Sequence, residues 1–449
     1  MDNLVNDIPV IKTFVFEDKF YCYDTYTNSL LNVTKEIYLE ICELKKIGML
    51  EYKKICASHS AYNDVLALID KGLFRFDFIK EIIHPDTIYV EKLIERCISQ
   101  LIIEVTSSCN FKCRYCHQTS EVTLRPKMLN EDIAYKSIDF LFEHSKDANE
   151  IAITFYGGEP LLNFEIIKKI VHYAKLKFES KHVLYNMTTN ASLINEAIAS
   201  FLVENNFSVL ISLDGDEVTQ NRHRRYLSDG GATFKDVWKH VLEIRKNYPD
   251  YFYAHISFNA VIMPDENPGR VRDFFEKNNI PKAMVTVNYA DLTGIDYFST
   301  SSVANKDEYS EDGFEEEFQD ILERFRKKDK LSTKWHHNGP CVPAARRLFV
   351  STDGNFYPCE KVNEAAECLL GDVNSGINFE KATELLNIGR LTSEDCKKCW
   401  AMRLCSMCVK QCLDGDSISP EKKEIACKLM RKNAFSFLTA YVKNNKMGR

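Results

Sequence analysis

SSCNFKCRYCHQTS, residues 107–120, sets three thiols, Cys109, Cys113 and Cys116, within eight positions. It follows LIIEV, residues 101–105, an apolar run of strand length, so the thiols fall on a loop at a strand's end. A structural zinc site takes four ligands from its protein, and His117, next to Cys116, is poorly placed to close a tetrahedron. A 4Fe-4S cluster held by three cysteines instead keeps one iron open, whereas an electron-transfer cluster takes four. A zinc knuckle completed by a distant residue is the alternative.

Downstream of this loop, strand-like and helical runs alternate. Apolar runs recur at IAITFY (151–156), HVLYNM (182–187), SVLISL (208–213), YAHISFNAVI (253–262) and MVTVNY (284–289), with amphipathic stretches such as NFEIIKKIVHYAKLKF between them. This rhythm predicts an α/β fold with a parallel sheet, an open or partial barrel of six units over residues 96–335, and chemistry at the C-terminal strand ends. Motifs fall at those ends: the cysteine loop after the first strand, GGEP (157–160) after the second, TTN (188–190) after the third and SLDGD at the end of the fourth.

Composition sets the context. The 449 residues are 45% hydrophobic, enough for a large core split over two or three domains. The N-terminus has no basic region followed by an apolar run, and no uninterrupted apolar stretch reaches membrane-span length, so a cytoplasmic protein without a membrane partner is expected. A formal charge of -7 gives no global attraction for nucleic acid. Sixteen cysteines in a reducing compartment then point to metal or redox chemistry. Cys22, Cys42, Cys56, Cys97 and Cys368 are scattered and read as small apolar residues, while the other eleven form an early and a late cluster.

Residues 1–95 read as short strands with turns at Glu17-Asp18 and Thr27-Asn28, a helix from Thr34 with Ile37, Ile41 and Leu44 on one face, and a helix near 62–71 stopped by Gly72. That order suggests a small winged-helix-like module. With 11 Lys and Arg against 16 Asp and Glu, it is a poor match for a phosphate backbone, and an extended peptide added to a sheet edge is the better partner. A structural cap is the alternative.

After a charged helical stretch, GFEEEFQDILERFRKKDK, residues 336–449 carry Cys341, Gly354 and Cys359 in CVPAARRLFVSTDGNFYPC. CKKCWAMRLCSMCVKQC then supplies Cys396, Cys399, Cys405, Cys408 and Cys412, and Cys427 follows. Eight thiols fit two zinc ions or two 4Fe-4S clusters, and spacing alone does not separate these.

The early signature, with Tyr115 before its last cysteine, resembles that of the radical S-adenosylmethionine (SAM) enzymes, and the resemblance spans the whole second segment. It implies a partial (β/α)6 radical SAM barrel, with Cys109, Cys113 and Cys116 on the cluster and SAM chelating the open iron. One electron then splits SAM to methionine and a 5'-deoxyadenosyl radical. It implies, too, that Gly157 and Gly158 let the backbone approach SAM and that Glu159 accepts from its amino group. Asn190 and Ser212 would touch its ribose and carboxylate. Arg224 would face that carboxylate, with Arg222 and Arg225 near enough to take its place.

Beside such a core, C-x12-G-x4-C followed by C-x2-C-x5-C resembles the SPASM extension, which carries two auxiliary clusters in enzymes that modify peptides. That resemblance implies an outer cluster on Cys396, Cys399, Cys405 and Cys427, and an inner one on Cys341, Cys359 and one or both of Cys408 and Cys412. The chain departs from the pattern here: C-x5-C-x2-C-x3-C replaces C-x5-C-x3-C. If both Cys408 and Cys412 bind, the inner cluster is closed. If one does, an iron stays open to a substrate thiol.

The first segment is similar to the recognition element that binds leader peptides of ribosomally made, modified peptides (RiPPs). Together these resemblances imply a maturase that takes hydrogen from a leader-bound precursor peptide and installs a cross-link, most directly a Cys thioether. It would use SAM, three 4Fe-4S clusters and an external electron donor such as flavodoxin or ferredoxin. The alternatives are a carbon-carbon or carbon-oxygen cross-link, epimerisation, or formylglycine formation of the sulfatase-maturase kind. Outside the class stands a zinc-stabilised nucleic-acid-binding protein, against which the acidic first segment and GGEP both speak.

Overall fold

The computed structural model describes residues 7–116, 126–263, 266–290, 322–323 and 325–447. His117 and most of the charged stretch 313–330 lie outside them. The chain forms two compact units, one of residues Met1–Ile88, Glu316–Cys341 and Thr383–Arg449, the other of Tyr89–Glu315 and Val342–Ala382.

The second unit is built on one sheet. Its six parallel strands lie in reverse chain order from one edge to the middle: Val285–Tyr289, Ile256–Ile262, Ser208–Ser212, His182–Thr189, Glu150–Gly157 and Gln100–Thr106. Helices such as Glu131–His144, Phe164–Lys177 and Glu196–Glu204 connect them, started by the side-chain caps of Asn130 and Asn195 where those residues occur. The result is an open α/β sheet whose strand ends carry every motif of the first reading. The fifth strand is shorter than its apolar run. Pro249 takes a first-turn position of a helix running to His255, so Tyr253, Ala254 and His255 are helical and the strand begins at Ile256.

Past the first strand, the sheet continues with Arg347–Val350, which pairs parallel to it, and then with antiparallel Asn355–Tyr357. Gly354 turns this hairpin at φ +84, and a Cβ there would meet Val373 Cγ2 at 2.9 Å. The glycine of C-x12-G-x4-C thus has a backbone reason.

In the first unit, Ile11–Phe16, Lys19–Asp24 and Ser29–Val33 make an antiparallel sheet in chain order. Glu17 and Asp18 both have positive φ, as a two-residue hairpin turn matched to the strand twist requires. Helices Lys35–Ile47, capped by Thr34, and Tyr62–Asp70 pack on it around Ile11, Cys22, Ile41, Leu44, Cys56 and Val65. Cys22, Cys56 and Cys368 are fully buried, while Cys42 and Cys97 are only half-buried. This sheet does not stand alone: Phe14 packs edge-on to Phe435, and Thr25 donates to the Trp400 carbonyl at 2.8 Å. No helix among the described residues is long and apolar enough to cross a membrane.

Candidate active site and cysteine sites

The cysteine loop of the second unit is bound to the ends of three strands. After the first strand the chain turns into the short strand Phe111–Cys113, which pairs antiparallel with Arg224–Tyr226, placing Arg224 opposite Cys113. Gly158 N donates to Thr106 O at 2.9 Å and Glu159 N to Ser108 O at 2.8 Å, so GGE runs directly against the start of the loop. A Cβ on Gly157 would stand 2.0 Å from Thr106 O, and one on Gly158 would stand 2.2 Å from Ser108 O. Both glycines are needed for this approach of backbone to backbone, whatever else lies near.

Glu159 is buried, and its carboxylate accepts from Leu161 N (3.1 Å), Thr189 Oγ1 (2.6 Å) and Asn190 N (2.7 Å). It therefore ties the second strand end to the third. Burial pushes its carboxyl up to about 7 against the pull of these donors. Asn190 donates to Asn110 Oδ1 at 2.8 Å, and its own carbonyl accepts from Ser192, so it fastens the third strand end to the cysteine loop. Ser212 closes the fourth strand, opposite Asn259 of the fifth.

Arg224 is buried and forks onto Asp214, Nε to Oδ2 at 3.0 Å and Nη2 to Oδ1 at 3.1 Å. Its Nη1 points at Cys113 Sγ, 3.9 Å away, and the guanidinium lies 5.3 Å from the centre of the Tyr115 ring. Tyr115 OH and Val261 N also donate to Asp214, which is wholly buried. Of the three arginines in NRHRRY, Arg224 alone takes this inner place. Arg222 reaches toward Glu266 at the surface, and Arg225 donates to Gly230 O at 3.3 Å. Asp214 was invisible as a site residue in sequence, although SLDGD marked its position at a strand end.

In the first unit, Cys396, Cys399, Cys405 and Cys427 line one cavity together with His337 and Lys423. The thiols of both units share a local device. Phe111 N donates to Cys109 Sγ at 3.3 Å, and the backbone amides of Ala401, Met407 and Lys410 do the same for Cys399, Cys405 and Cys408, in each case two residues on. An N–H aimed at sulfur favours the thiolate. Burial works the other way, pushing Cys109 and Cys405 up to about 12 and Cys113 to about 11. Cys412 differs: wholly buried, it donates its own S–H to the Cys408 carbonyl at 3.6 Å. Cys341 is exposed and Cys359 half-buried.

A single zinc holds its thiolates about 3.8 Å apart, from Zn–S bonds of about 2.3 Å in a tetrahedron. Among the described residues, Glu40, Cys56 and His59 form the one trio of such side chains whose ligand atoms all lie within 4.8 Å of one another.

Residues 103–277 match the Radical SAM superfamily model. The chain is 28% identical over 272 residues to the radical SAM cyclopropyl synthase TigE of Paramaledivibacter caminithermalis, covering 56% of this chain and 55% of that one. It is 25% identical over 363 residues to a cysteine-type anaerobic sulfatase-maturating enzyme of Clostridium perfringens, covering 74% of this chain and 93% of the enzyme. The chain spans 40% and 55% of the lengths of the first two curated relatives it matches. In fold it resembles anSMEcpe solved with AdoMet, with a TM-score of 0.55 at 21% identity over 78% of this chain and 96% of the other. Residues 103–277 thus correspond to the Radical SAM superfamily.

Proposed function

We propose that the enzyme is a maturase acting on a ribosomally made peptide, and that it closes a Cys thioether. The observation that carries the reading is the joint presence of a three-thiol loop on a radical SAM sheet, a further set of thiols with backbone donors, and a small sheet with an open edge strand, Ser29–Val33. When bound, SAM and the cluster of Cys109, Cys113 and Cys116 supply the hydrogen-abstracting radical. Around them, Gly157 and Gly158 bring the second strand end to the loop, Glu159 and Asn190 fix the third to it, and Arg224 sets a cation beside Cys113. Ser212 is assigned to the same rim.

The outer auxiliary cluster is assigned to Cys396, Cys399, Cys405 and Cys427, the inner to Cys341, Cys359 and Cys408. Cys412, already spent as a donor to a carbonyl, is assigned as a protonated thiol, which leaves the inner cluster three protein ligands and room for a substrate sulfur. Thioether closure removes two hydrogens, one from carbon and one as the thiol proton, and passes one electron to an acceptor of iron-sulfur type. Residues 1–95 are assigned to leader binding through the edge Ser29–Val33, where a peptide adds as a further strand. A flavodoxin or ferredoxin would supply the reducing electron.

A second reading, formylglycine formation, is favoured by the alignment over 93% of the perfringens maturase. That alignment leaves roughly a quarter of this chain over, which a leader-binding module would occupy. Mass spectrometry separates the two. With a short precursor encoded beside the gene, thioether formation loses two hydrogens and leaves the acceptor Cys resistant to alkylation. With a sulfatase-motif peptide, formylglycine formation from Cys loses two hydrogens and also exchanges sulfur for oxygen, and that product alone would replace the proposal. Because the N-terminal sheet shares a core with the C-terminal helix, deletion is a poor test of leader binding. Leu31→Pro and Asn32→Pro remove alternate N–H groups of the edge strand, and affinity for the precursor should fall in the one whose N–H faces outward.

A further inference from the structure

Lys423 sits near the start of the long helix Pro420–Met447 and is wholly buried. Its Nζ donates to Thr392 Oγ1 and, at 3.3 Å, to Cys396 Sγ. No carboxylate oxygen comes within 4.0 Å of it among the described residues. A buried ammonium is expensive unless an anion meets it, and one neutral hydroxyl and one thiol do not supply that charge. The second oddity lies on the same cavity. His337 is buried with Nε2 lacking any hydrogen-bond partner among the described residues, while its ring bonds the Met407 backbone. Asp395 and Arg431 line the same cavity, Arg431 bonding Cys399, so the four cysteines are faced by two cations, one carboxylate that lies beyond 4.0 Å of Lys423 Nζ, and a histidine Nε2 with no partner among the described residues.

We infer that Lys423 is a positioning residue that sets the reduction potential of the outer cluster by donating to the sulfur of Cys396. The inference rests on the assignment of that cluster to Cys396, Cys399, Cys405 and Cys427. A fixed cation beside a thiolate ligand favours the state with the extra electron, and hydrogen bonds to cluster sulfurs raise the potential. Thr392 holds the ammonium in place, so the effect needs no rearrangement when the electron arrives. This makes the outer cluster the better electron sink of the auxiliary pair.

The test uses the full chain carrying Ala at Cys109, Cys113 and Cys116, so that only auxiliary clusters contribute, reconstituted anaerobically. Iron and sulfide are counted, and the clusters are titrated potentiometrically with electron paramagnetic resonance as readout. Lys423→Met should keep its iron and move one couple to more negative potential, while Lys423→Arg should stay near the parent. Equal iron with unmoved potentials would overturn the inference. A parent that holds only one auxiliary cluster after reconstitution, with Cys396→Ala losing no iron, would overturn the cluster assignment instead. If the Met variant fails to fold, Thr392→Val decides: it keeps the charge but frees Nζ, and a shifted couple supports the inference whereas an unshifted one defeats it.

Discussion

Both cysteine regions set a buried cation against a thiol, and they balance its charge in different ways. At Cys113 the cation is Arg224, held in a bidentate fork by Asp214, so the charge is neutralised by the protein itself. At Cys396 the cation is Lys423, whose partners among the described residues are a hydroxyl and the thiol. The second region has a charge deficit that a 4Fe-4S cluster with four thiolates, an anion, removes. Metal loading should therefore add stability mainly to the C-terminal region.

The largest effect should come from removing ligands. Changing Cys109, Cys113 and Cys116 together to Ala is expected to cost about four irons and all 5'-deoxyadenosine production, measured by chromatography after dithionite reduction. Cys408→Ala should lose iron as well while leaving SAM cleavage in place. A triple variant that still makes 5'-deoxyadenosine would end the comparison, since the first region would not be the radical site.

Next is the charge balance. Asp214→Asn leaves Arg224 buried without its carboxylate and should destabilise the metal-free protein by about 3–5 kcal/mol, the cost typical of a broken buried pair. Lys423→Met should cost the metal-free protein much less, because no pair is broken there. Denaturant titration of both apo variants checks this, and similar losses would mean that Lys423 has an anionic partner of its own.

The sheet and the first segment's helices were legible in sequence because their signals are local: apolar runs of strand length, Thr34 before a periodic helix, Glu17-Asp18 between strands. The thiols were legible because cysteine spacing is itself a signature. Asp214 and Lys423 were not. Each owes its role to a partner far along the chain, Arg224 and Tyr115 for the one and Cys396 for the other, and nothing in SLDGD or SPEKK announces burial of a charge. The glycines of GGEP were noticed for a reason that differs from their main one, since the close neighbour is the Thr106–Ser108 backbone. The association of the first 88 residues with the C-terminal helix is likewise a tertiary fact, set by contacts such as Phe14 with Phe435.

The cysteine-loop site also carries a pH signature. Glu159, raised by burial to about 7 from an ordinary 4.5, contributes stability that is fully present below the ordinary value and lost as pH rises through about 7. The loss is at most about 3.5 kcal/mol, at about 1.4 kcal/mol per pKa unit. Glu159→Gln does not titrate, so the stability of the parent relative to this variant should fall between pH 5 and about 8. A difference that stays flat across that window would mean that the three donors, and not burial, set the carboxyl's affinity for its proton.

The smallest effect is expected at Cys412, and it sharpens the comparison from within the C-terminal region. Among the late cysteines, Cys399, Cys405 and Cys408 each receive a backbone N–H two residues on, the arrangement that favours a thiolate, whereas Cys412 gives its proton to a carbonyl. Burial pushes its thiol up to about 12, and no backbone donor opposes that. Cys412→Ala should therefore keep every iron and cost about 1–2 kcal/mol, the scale for a small buried side chain that leaves a cavity and frees one carbonyl. Iron and sulfide analysis of Cys412→Ala beside Cys408→Ala is the check. Iron lost from both would close the inner cluster with protein ligands alone, and a thioether made by binding substrate sulfur to an open iron would then have no place to form.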